Sequence, residues 1–463
     1  MKNCWVLSGV LLLLFGASSS AAPREWKVPV EQRTLANGLR VIVSRDDSAP
    51  VFGLCVTYGV GFRFERKGYS GYAHLFEHMM FEGTPDVPKG VFDRVIEDGG
   101  GTDNADTRFD FTEYFETAPV SALDPALWLE ADRMKGIDLT QHNLDNQRQV
   151  VEEEIRTNFL NQPYGQFYWL DLPQKAFDNF ADSHNFLGDF RDLDSATLEK
   201  VGAFFHQYYV PNNAVISVVG DVEPQKVFAK VQRYFGSIPR RNLPAPPDVL
   251  ELPQRVERRF TEYDKLAREP AIAVGYRMPP HDTADAVAGA VVGQILHGGQ
   301  ASRLYQALVK NQNVAVTVYG GANWPLGSPY EYGGPTLMTS FVVYPSSVSE
   351  GRLLAAYDGV IRQLAANGCS QSELDRVLAK MRSGWYGELE SPENRASILG
   401  QAALFDGDAA KINVIPAEIS AVTPRDVQAF ARKYLIPGNR TVIDRVPVSM
   451  EAPAGRKEKG NQP

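Results

Sequence analysis

Cysteine is scarce in this chain of 463 residues, which contains only three. Cys4 lies in the amino-terminal stretch, whereas Cys55 and Cys369 lie in different halves of the sequence. Small secreted domains that depend on disulfides need several closely spaced cysteine pairs. The sequence therefore does not predict a disulfide framework.

An excess of basic charge is also missing. The chain carries 47 Lys and Arg against 56 Asp and Glu, and its formal net charge is −9. A general nucleic-acid-binding protein needs a basic face, so no nucleic-acid partner is expected. Long apolar runs are missing beyond the amino terminus, and no membrane span is predicted in the mature chain.

The one prominent apolar run opens the chain. It covers residues 5–15, follows a basic start at Lys2 and precedes a run of small residues at 17–22. This three-part order is typical of a secretory signal peptide, which we predict at 1–21 with cleavage after Ala21. The alternative is an amino-terminal membrane anchor, for which the apolar run is short.

Two segments of the chain resemble each other at a constant offset. Val, Phe, Tyr, Pro and Asn recur in the same order 226 positions apart, in the segments 201–213 and 427–439. Each segment has the pattern of an amphipathic helix and a proline-marked turn, and each leads into an expected strand, at 214–219 and 441–446. The helix–proline–strand order is common, but five matches at one offset favour duplication over coincidence.

A proline-rich stretch separates the two halves. Residues 240–255 break both helix and sheet patterns, so we interpret them as a linker. The predicted organisation is a first domain at 22–239, a homologous second domain at 256–449 and a polar tail at 450–463. Hairpin-like strands beside separate helices favour the α+β class, with an antiparallel-rich sheet packed with helices in each domain.

The most informative segment carries the motif H-x-x-E-H. The chain has only seven histidines, yet His74 and His78 stand four residues apart here, and Glu77 lies between them. Residues at i and i+4 project from one face of a helix, and two imidazoles one turn apart suit Zn²⁺. Glu77 shares this face, where a carboxylate can take a proton from water at the metal. The alternative is a pair of core histidines that are held by hydrogen bonds.

The helix that carries this motif is expected to be short and buried. Ser70 can cap its start and Gly83 can end it. Apolar residues cover the rest of its surface, which would hold the metal ligands still.

A catalytic zinc site usually has three protein ligands and one open position, so a third ligand is expected from elsewhere. Glu152, Glu153 and Glu154 follow one another in a helical pattern. Most such triplets are solvated faces. Glu154, however, stands three residues after Val151 and four after Val150, so it can share a face with buried residues.

Together these motifs resemble the inverzincin metallopeptidases of the pitrilysin family, which includes insulin-degrading enzyme and the mitochondrial processing peptidases. The similarity also covers the segments 58–65, 81–84, 100–107 and 150–155. The repeated halves and the proline-rich linker fit as well, because family chains consist of repeated α+β domains. The resemblance extends over nearly all of the mature chain.

The resemblance implies a zinc-dependent metalloendopeptidase that holds one Zn²⁺ per chain. His74, His78 and Glu154 would be the metal ligands, and Glu77 would be the general base for attack of water on a peptide bond. The expected substrates are peptides or unfolded segments.

Three further positions follow from the same resemblance. Asn104 and Ala105 would lie on an edge strand that pairs with the backbone of a peptide substrate, although an ordinary turn residue is the alternative for Asn104. Gln147 stands seven residues before Glu154, where family helices often carry an acid. An amide there can form hydrogen bonds around the ligands but adds no charge.

One departure from the family pattern concerns the partner. Active members carry an Arg and a Tyr, seven residues apart, that hold substrate and stabilise the developing oxyanion. In our register Val309 and Val316 occupy these positions, whereas Arg303 and Tyr305 stand at the wrong spacing. The chain therefore looks like the zinc-bearing half of a periplasmic heterodimer whose homologous subunit supplies the Arg and Tyr. A homodimer is the alternative.

Two other functions compete with this hypothesis. One is a non-catalytic structural or peptide-binding subunit of the same fold, but such subunits typically lose the zinc motif. The other is a structural zinc site, which would need a fourth protein ligand and no general base.

Overall fold

The computed structural model describes residues 26–450. The predicted signal peptide at 1–21 lies outside this range, and so does the predicted tail at 450–463 except for Met450. Among the described residues, no helix combines the length and the apolar character that a membrane crossing requires.

The first half of the chain supplies one sheet and the helices that pack on it. Its strands are β1 (Glu31–Thr34), β2 (Arg40–Arg45), β3 (Val51–Tyr58), β4 (Thr102–Thr107), β5 (Thr112–Pro119) and β6 (Ala214–Gly220). Its α-helices are α1 (Tyr72–Met79), α2 (Val91–Asp98), α3 (Leu123–Lys135), α4 (Gln141–Glu154), α5 (Leu172–Ala176), α6 (Phe180–Ser183), α7 (Phe190–Asp194), α8 (Leu198–Tyr208) and α9 (Pro224–Phe235). Short 3₁₀ turns lie at Phe62–Phe64, Val120–Ala122 and Pro211–Asn213, and π-helical segments at Ile155–Leu160 and Phe167–Asp171.

The second half supplies the other sheet. Its strands are β7 (Arg258–Asp264), β8 (Ala271–Arg277), β9 (Thr317–Ala322), β10 (Leu337–Val343) and β11 (Arg440–Pro447). Its α-helices are α10 (Ala284–His297), α11 (Glu350–Asn367), α12 (Gln371–Glu388), α13 (Pro392–Asp406), α14 (Ile415–Ala421) and α15 (Pro424–Tyr434). A π-helical segment lies at Tyr305–Asn311, and 3₁₀ turns lie at Ala409–Asn413, Pro437–Asn439 and Val448–Met450.

The two sheets have equivalent strand orders. The first runs β1-β2-β6-β3-β5-β4 and the second β7-β11-β8-β10-β9, so they correspond strand for strand once the extra edge strand β1 is set aside. In each sheet one neighbouring pair is parallel, β2 with β6 and β7 with β11, and the remaining pairs are antiparallel. The predicted α+β class with two repeated, antiparallel-rich domains is confirmed.

The duplicated segments take the same structure in both halves. Helices α8 and α15 are separated by the predicted 226 positions, and a 3₁₀ turn and a strand follow each of them. The repeated asparagine also has one role in both halves. Asn213 donates its side-chain N–H to the carbonyls of Gly59 and Tyr208, and Asn439 donates in the same way to Arg277 and Tyr434. This side chain ties the turn to the end of the preceding helix.

The proline-rich stretch at 240–255 contains no helix or strand. It is nevertheless fixed to both halves. The Glu251 carboxylate accepts the backbone N–H of Asn179 at 2.7 Å and lies 3.3 Å from the guanidinium of Arg277. The domain boundaries placed around this stretch stay a prediction.

Each half of the chain covers one face of the other half's sheet. Helix α13 packs on β3 and β6 of the first sheet, where Ala396, Leu399 and Ala403 join its core. In return, the segment 167–177 packs on the second sheet. Burial on both faces explains why β3, β6 and β8 are largely apolar and buried at nearly every position, rather than alternating between apolar and polar residues.

The contact of α13 with the first sheet encloses a carboxyl group. Glu113 of β5 is buried, and it accepts hydrogen bonds from the Ser397 hydroxyl at 2.8 Å and the Gln401 amide at 3.3 Å. Burial raises the pKa of Glu113 from an ordinary value of 4.5 to about 7, although the Ser397 hydrogen bond lowers it in part.

This shift predicts a pH-dependent loss of stability. Because the pKa of Glu113 is higher in the folded protein, its contribution to the free energy of unfolding falls as pH rises from about 4.5 to about 7. The variant Glu113→Gln removes the titration, so its stability relative to the wild type is expected to increase over that range by up to about 3 kcal/mol. Urea denaturation of the metal-free proteins at pH 4.5 and pH 8 measures this, with the exposed Glu199→Gln as control. An equal difference at both pH values would contradict the prediction.

Candidate metal centre

Helix α1 exposes one narrow face. Tyr72, Leu75, Phe76 and Met79 are buried in the core of the first half, whereas His74, Glu77 and His78 are only partly buried and share the remaining face. The i, i+3, i+4 spacing of the motif produces this arrangement. The sequence expectation that these three side chains project together is met by the geometry.

The start of α1 is held by a residue that local capping rules did not identify. The helix begins after Gly71, which has a φ of +88°, and its first amides donate to the buried carboxylate of Glu65, Gly71 at 3.0 Å and Ala73 at 2.8 Å. His184 Nε2 lies 2.8 Å from the same carboxylate. The predicted Ser70 cap is wrong, because the Ser70 hydroxyl donates to the Asn185 carbonyl instead.

The end of α1 also differs from the expectation. The helix ends at Met79, although Gly83 does take the left-handed conformation, with a φ of +89°. A turn separates the two, in which the amides of Phe81 and Glu82 donate to carbonyls three residues earlier.

Helix α4 brings a second carboxylate to this face. It packs against α1 through buried residues that include Leu144 and Val151. Glu154 is its last α-helical residue, and the chain continues as the π-helical segment Ile155–Leu160. The widened turn starts directly after Glu154, and such turns are frequent at functional sites.

Three donor atoms of these helices meet at nearly equal distances. His74 Nε2 and His78 Nε2 are 3.3 Å apart, and Glu154 Oε2 lies 3.6 Å from the first and 3.3 Å from the second. In a tetrahedral zinc site with bonds of about 2.1 Å, ligand atoms are about 3.4 Å apart. The chemistry and the spacing of the donor set therefore fit Zn²⁺.

The charges of the three groups are coupled. Hydrogen bonds from His74 and then His78 hold the pKa of Glu154 well below its usual range. Burial acts to lower the pKa of His74, but the hydrogen bond to Glu154 and the charges of Glu77 and Glu154 outweigh it, so that the pKa is raised. The two imidazole nitrogens and the carboxylate oxygen therefore all favour a cation at the point where they meet.

Glu77 lies beside the three donor atoms. One of its carboxylate oxygens and a nitrogen of each histidine fall within 4.8 Å of one another. The hydroxyl of Thr107, at the end of β4, donates to Glu77 Oε2 at 2.5 Å. Thr107 belongs to the segment 100–107 that resembles the family, but no role for it was predicted. Its contact with Glu77 joins residues 30 positions apart, which no local pattern reveals.

This contact leads to a testable prediction. Thr107→Val keeps the shape of the side chain and removes the donor, so Glu77 is expected to lose its orientation. Hydrogen bonds to charged groups contribute about 1.5–3 kcal/mol, and we therefore expect kcat for peptide hydrolysis to fall by about tenfold or more while KM and zinc content stay unchanged. Thr102→Val, at an exposed position of the same strand, is the control. Unchanged kcat in Thr107→Val would contradict this role.

Asn104 and Ala105 lie on β4, at the edge of the first sheet. Within residues 26–450, β4 pairs with β5 alone, so its other side faces no strand. The side-chain oxygen of Asn104 accepts the backbone N–H of Ala105 at 2.9 Å. The same strand ends at Thr107, which contacts Glu77, so the free edge leads to the candidate centre.

Among the described residues, the side chain of Gln147 forms its hydrogen bond with Glu82 and not with His74, His78 or Glu154. Its buried amide donates to Glu82 Oε1 at 2.5 Å, and the same oxygen lies 2.5 Å from Lys89 Nζ. The contact links α4 to the turn that follows α1, so Gln147 holds the two ligand-bearing helices together.

The positions proposed for Arg and Tyr lie in the second half. Val309 packs in the π-helical segment against the core, and Val316 is 55% exposed directly before β9. Arg303 is engaged elsewhere, since its guanidinium lies 2.6 Å from Glu373 and donates to the Gly368 carbonyl.

Known proteins provide an independent comparison. A sequence model described as insulinase (peptidase family M16) matches residues 40–179, and one described as the peptidase M16 inactive domain matches residues 195–381. The zinc protease PqqE of Helicobacter pylori is 30% identical over 410 residues, which cover 86% of this chain and 88% of that protein.

Solved structures show the same relationship. The crystal structure of a protease from Helicobacter pylori superposes with a TM-score of 0.84 at 26% identity, over 91% of this chain and 100% of that one. The periplasmic protease PqqL of Escherichia coli has the same fold, with a TM-score of 0.71 at 18% identity, over 92% of this chain and 48% of PqqL. The chain belongs to the M16 (insulinase) family of zinc peptidases.

Proposed function

We propose that this chain is an exported zinc-dependent metalloendopeptidase that cleaves peptides or unfolded segments. His74, His78 and Glu154 hold one Zn²⁺, and Glu77 is the general base. The observation that carries the proposal is that donor atoms of His74, His78 and Glu154 lie 3.3–3.6 Å from one another, with the carboxylate of Glu77 beside them. Three protein ligands and an adjacent base are typical of a catalytic zinc site rather than a structural one.

Different residues of the chain have different roles in hydrolysis. Bound zinc supplies Lewis-acid polarisation of the scissile carbonyl and lowers the pKa of water at the site. Glu77 takes the proton of the attacking water and returns it to the leaving amine. Thr107 donates to the Glu77 carboxylate and would keep it beside the two histidines, and Glu65 holds the start of the helix that bears both histidines.

Substrate binding is assigned to the free edge of β4. A peptide strand that pairs there gains main-chain hydrogen bonds that depend little on its sequence. Asn104 and Ala105 would form part of this edge, and Thr107 at its end would place the scissile bond near Glu77. An extended segment is required, which favours peptides and unfolded chains over folded proteins.

The match to an inactive-domain description does not weaken the catalytic proposal. That match covers 195–381, whereas the four residues of the candidate centre lie between 74 and 154, inside the insulinase match. The alternative of a non-catalytic subunit would leave the geometry of His74, Glu77, His78 and Glu154 without a role.

A second subunit is part of the proposal. Val309 and Val316 cannot donate to an oxyanion, so a homologous chain would supply the Arg and Tyr, with a homodimer as the alternative. The alignment over 48% of PqqL is consistent with a functional unit of twice this length. The leader-like start of the sequence and the periplasmic location of that fold relative support a periplasmic site of action.

Hydrolysis of a quenched fluorescent peptide library tests the function. The zinc-loaded mature chain is assayed alone and together with a homologous M16 chain that carries the Arg and Tyr. We expect turnover in the mixture, loss of turnover with a chelator, and recovery when zinc is added back. Turnover by neither preparation, with one zinc bound per chain, would contradict the catalytic proposal.

A further inference from the structure

A buried histidine outside the metal centre faces the carboxylate that holds the start of α1. His184 directly follows α6, and its side chain is only 3% exposed, while that of Glu65 is completely buried. The imidazole stacks on the ring of Phe180 at 4.7 Å and meets that of Phe186 edge to face at 4.9 Å. Because both side chains are buried, their polar atoms depend on partners within the protein.

Both ring nitrogens of His184 face oxygen atoms. Nδ1 lies 2.8 Å from the carbonyl oxygen of Phe180, and Nε2 lies 2.8 Å from Glu65 Oε2. A carbonyl oxygen can only accept, so Nδ1 carries a proton. The two oxygens of Glu65 already accept backbone N–H groups, Oε2 from Gly71 and Oε1 from Ala73. A carboxylate that accepts on both oxygens matches a second N–H donor at Nε2, which is the arrangement of an imidazolium.

The charge of Glu65 depends on this neighbour. Burial raises the pKa of the Glu65 carboxyl above its ordinary value of 4.5, and the hydrogen bond and charge of His184 lower it in part. A protonated carboxyl would turn one oxygen into a donor, and the start of α1 would lose an acceptor for one of its amides. Arg63, two residues before Glu65, does not replace His184, because its Nε lies 2.6 Å from the carboxylate of Asp182.

We propose that His184 acts as an imidazolium and is a positioning residue for the zinc site. It keeps Glu65 ionised, Glu65 holds the amides of Gly71 and Ala73, and Ala73 directly precedes the metal ligand His74. Removing the charge of His184 would loosen the start of α1, and with it the His74 ring, without removing a ligand. This role rests on the proposed zinc site, whereas the protonation state of His184 can be measured independently of it.

Nitrogen NMR of the zinc-loaded mature chain, isotopically labelled at its histidine side chains, measures the protonation state at neutral pH. The signals of His184 are assigned by their loss in His184→Gln. We expect both of its ring nitrogens to show the chemical shift of a protonated nitrogen. His297 is the internal reference, because burial lowers its pKa to about 4 and one of its nitrogens should therefore be unprotonated. An unprotonated nitrogen in the His184 ring of the wild type would overturn the proposal.

Zinc affinity separates a positioning role from a purely structural one. Partners beyond the ligands typically contribute 10–100-fold to metal affinity, so we expect the zinc Kd to rise by about tenfold in His184→Gln. His184→Phe, which keeps the stacked ring but neither donor, should raise it further. In a Glu65→Gln background, where no carboxylate is left to keep ionised, His184→Gln should add less than about twofold. Competition with a fluorescent zinc chelator measures each Kd.

A second buried histidine provides the matched control. His297 also forms two hydrogen bonds, to the Gly293 carbonyl and the Ser340 hydroxyl, but it lies on α10 in the other half of the chain. His297→Gln should bind zinc as the wild type does. An equal loss of affinity in His297→Gln, or wild-type affinity in folded His184→Gln and His184→Phe, would overturn the role of His184 alone. A wild-type chain that binds no zinc would contradict the metal centre itself, and this role with it.

Discussion

Replacing Glu77 by glutamine is expected to lower peptide hydrolysis by about 10²–10⁴-fold, the range that a positioned general base contributes. Glutamine keeps the size of the side chain and can still accept the Thr107 hydroxyl, which lies 2.5 Å from Glu77 in the wild type. It cannot take a proton. The three donor atoms that meet at tetrahedral spacing belong to His74, His78 and Glu154. Because Glu77 supplies none of them, the zinc content of Glu77→Gln is expected to stay at one per chain.

The measurement is single-turnover hydrolysis of a fluorescent peptide, with zinc determined by atomic absorption on the same samples. Glu97→Gln, at an exposed position of α2, is the control and should hydrolyse peptide at the wild-type rate. Loss of zinc in Glu77→Gln would mean that Glu77 is itself a ligand. Undiminished hydrolysis with zinc retained would remove its role as base.

Glu154→Gln is expected to weaken zinc binding. The amide oxygen is uncharged and a poorer zinc ligand, and the two histidines that remain cannot close a tetrahedral site. Changes in residues that only orient ligands already cost 10–100-fold in metal affinity, so we expect the zinc dissociation constant to rise by more than 100-fold. Hydrolysis should fall with zinc occupancy and return in part at high zinc concentration.

The neighbouring residue gives a matched control. Glu153 precedes Glu154 on the same helix, but its side chain is 68% exposed and lies near Arg156 rather than the histidines. Glu153→Gln should therefore bind zinc within about twofold of the wild type, since exposed charge pairs contribute little. Competition with a fluorescent zinc chelator measures both variants. Equal zinc affinity in the two would contradict the assignment of Glu154.

The parts of the site that the sequence predicts are those set by local geometry. His74, Glu77 and His78 share a face because helical spacing dictates it, and the buried residues between them fix which face is free. The same rule lets Glu154 share a face of α4 with buried residues, but its assignment as a ligand rests on the family resemblance, and the distance between the two helices follows from neither. The equivalence of the two halves was also predicted, because five residues of the segments 201–213 and 427–439 recur at a fixed offset.

The remaining parts depend on contacts between distant segments. Ser70 has the right residue type and place for a cap, but Glu65 reaches the same amides from the preceding loop once Gly71 takes a positive φ. Thr107 meets Glu77 only when β4 docks beside α1. Each half packs on the sheet of the other half, and α13 packs on the first sheet. The sequence does not predict this, because the apolar pattern of α13 would be the same whichever sheet it packed on.

The position of the metal tests the proposed zinc site most directly. Crystals of the zinc-equilibrated protein are measured on either side of the zinc absorption edge, and an anomalous difference map is computed. We expect one peak about 2.0–2.2 Å from His74 Nε2, His78 Nε2 and a carboxylate oxygen of Glu154, with Glu77 outside the coordination shell. A peak at another site, or no peak at these three atoms, would contradict it.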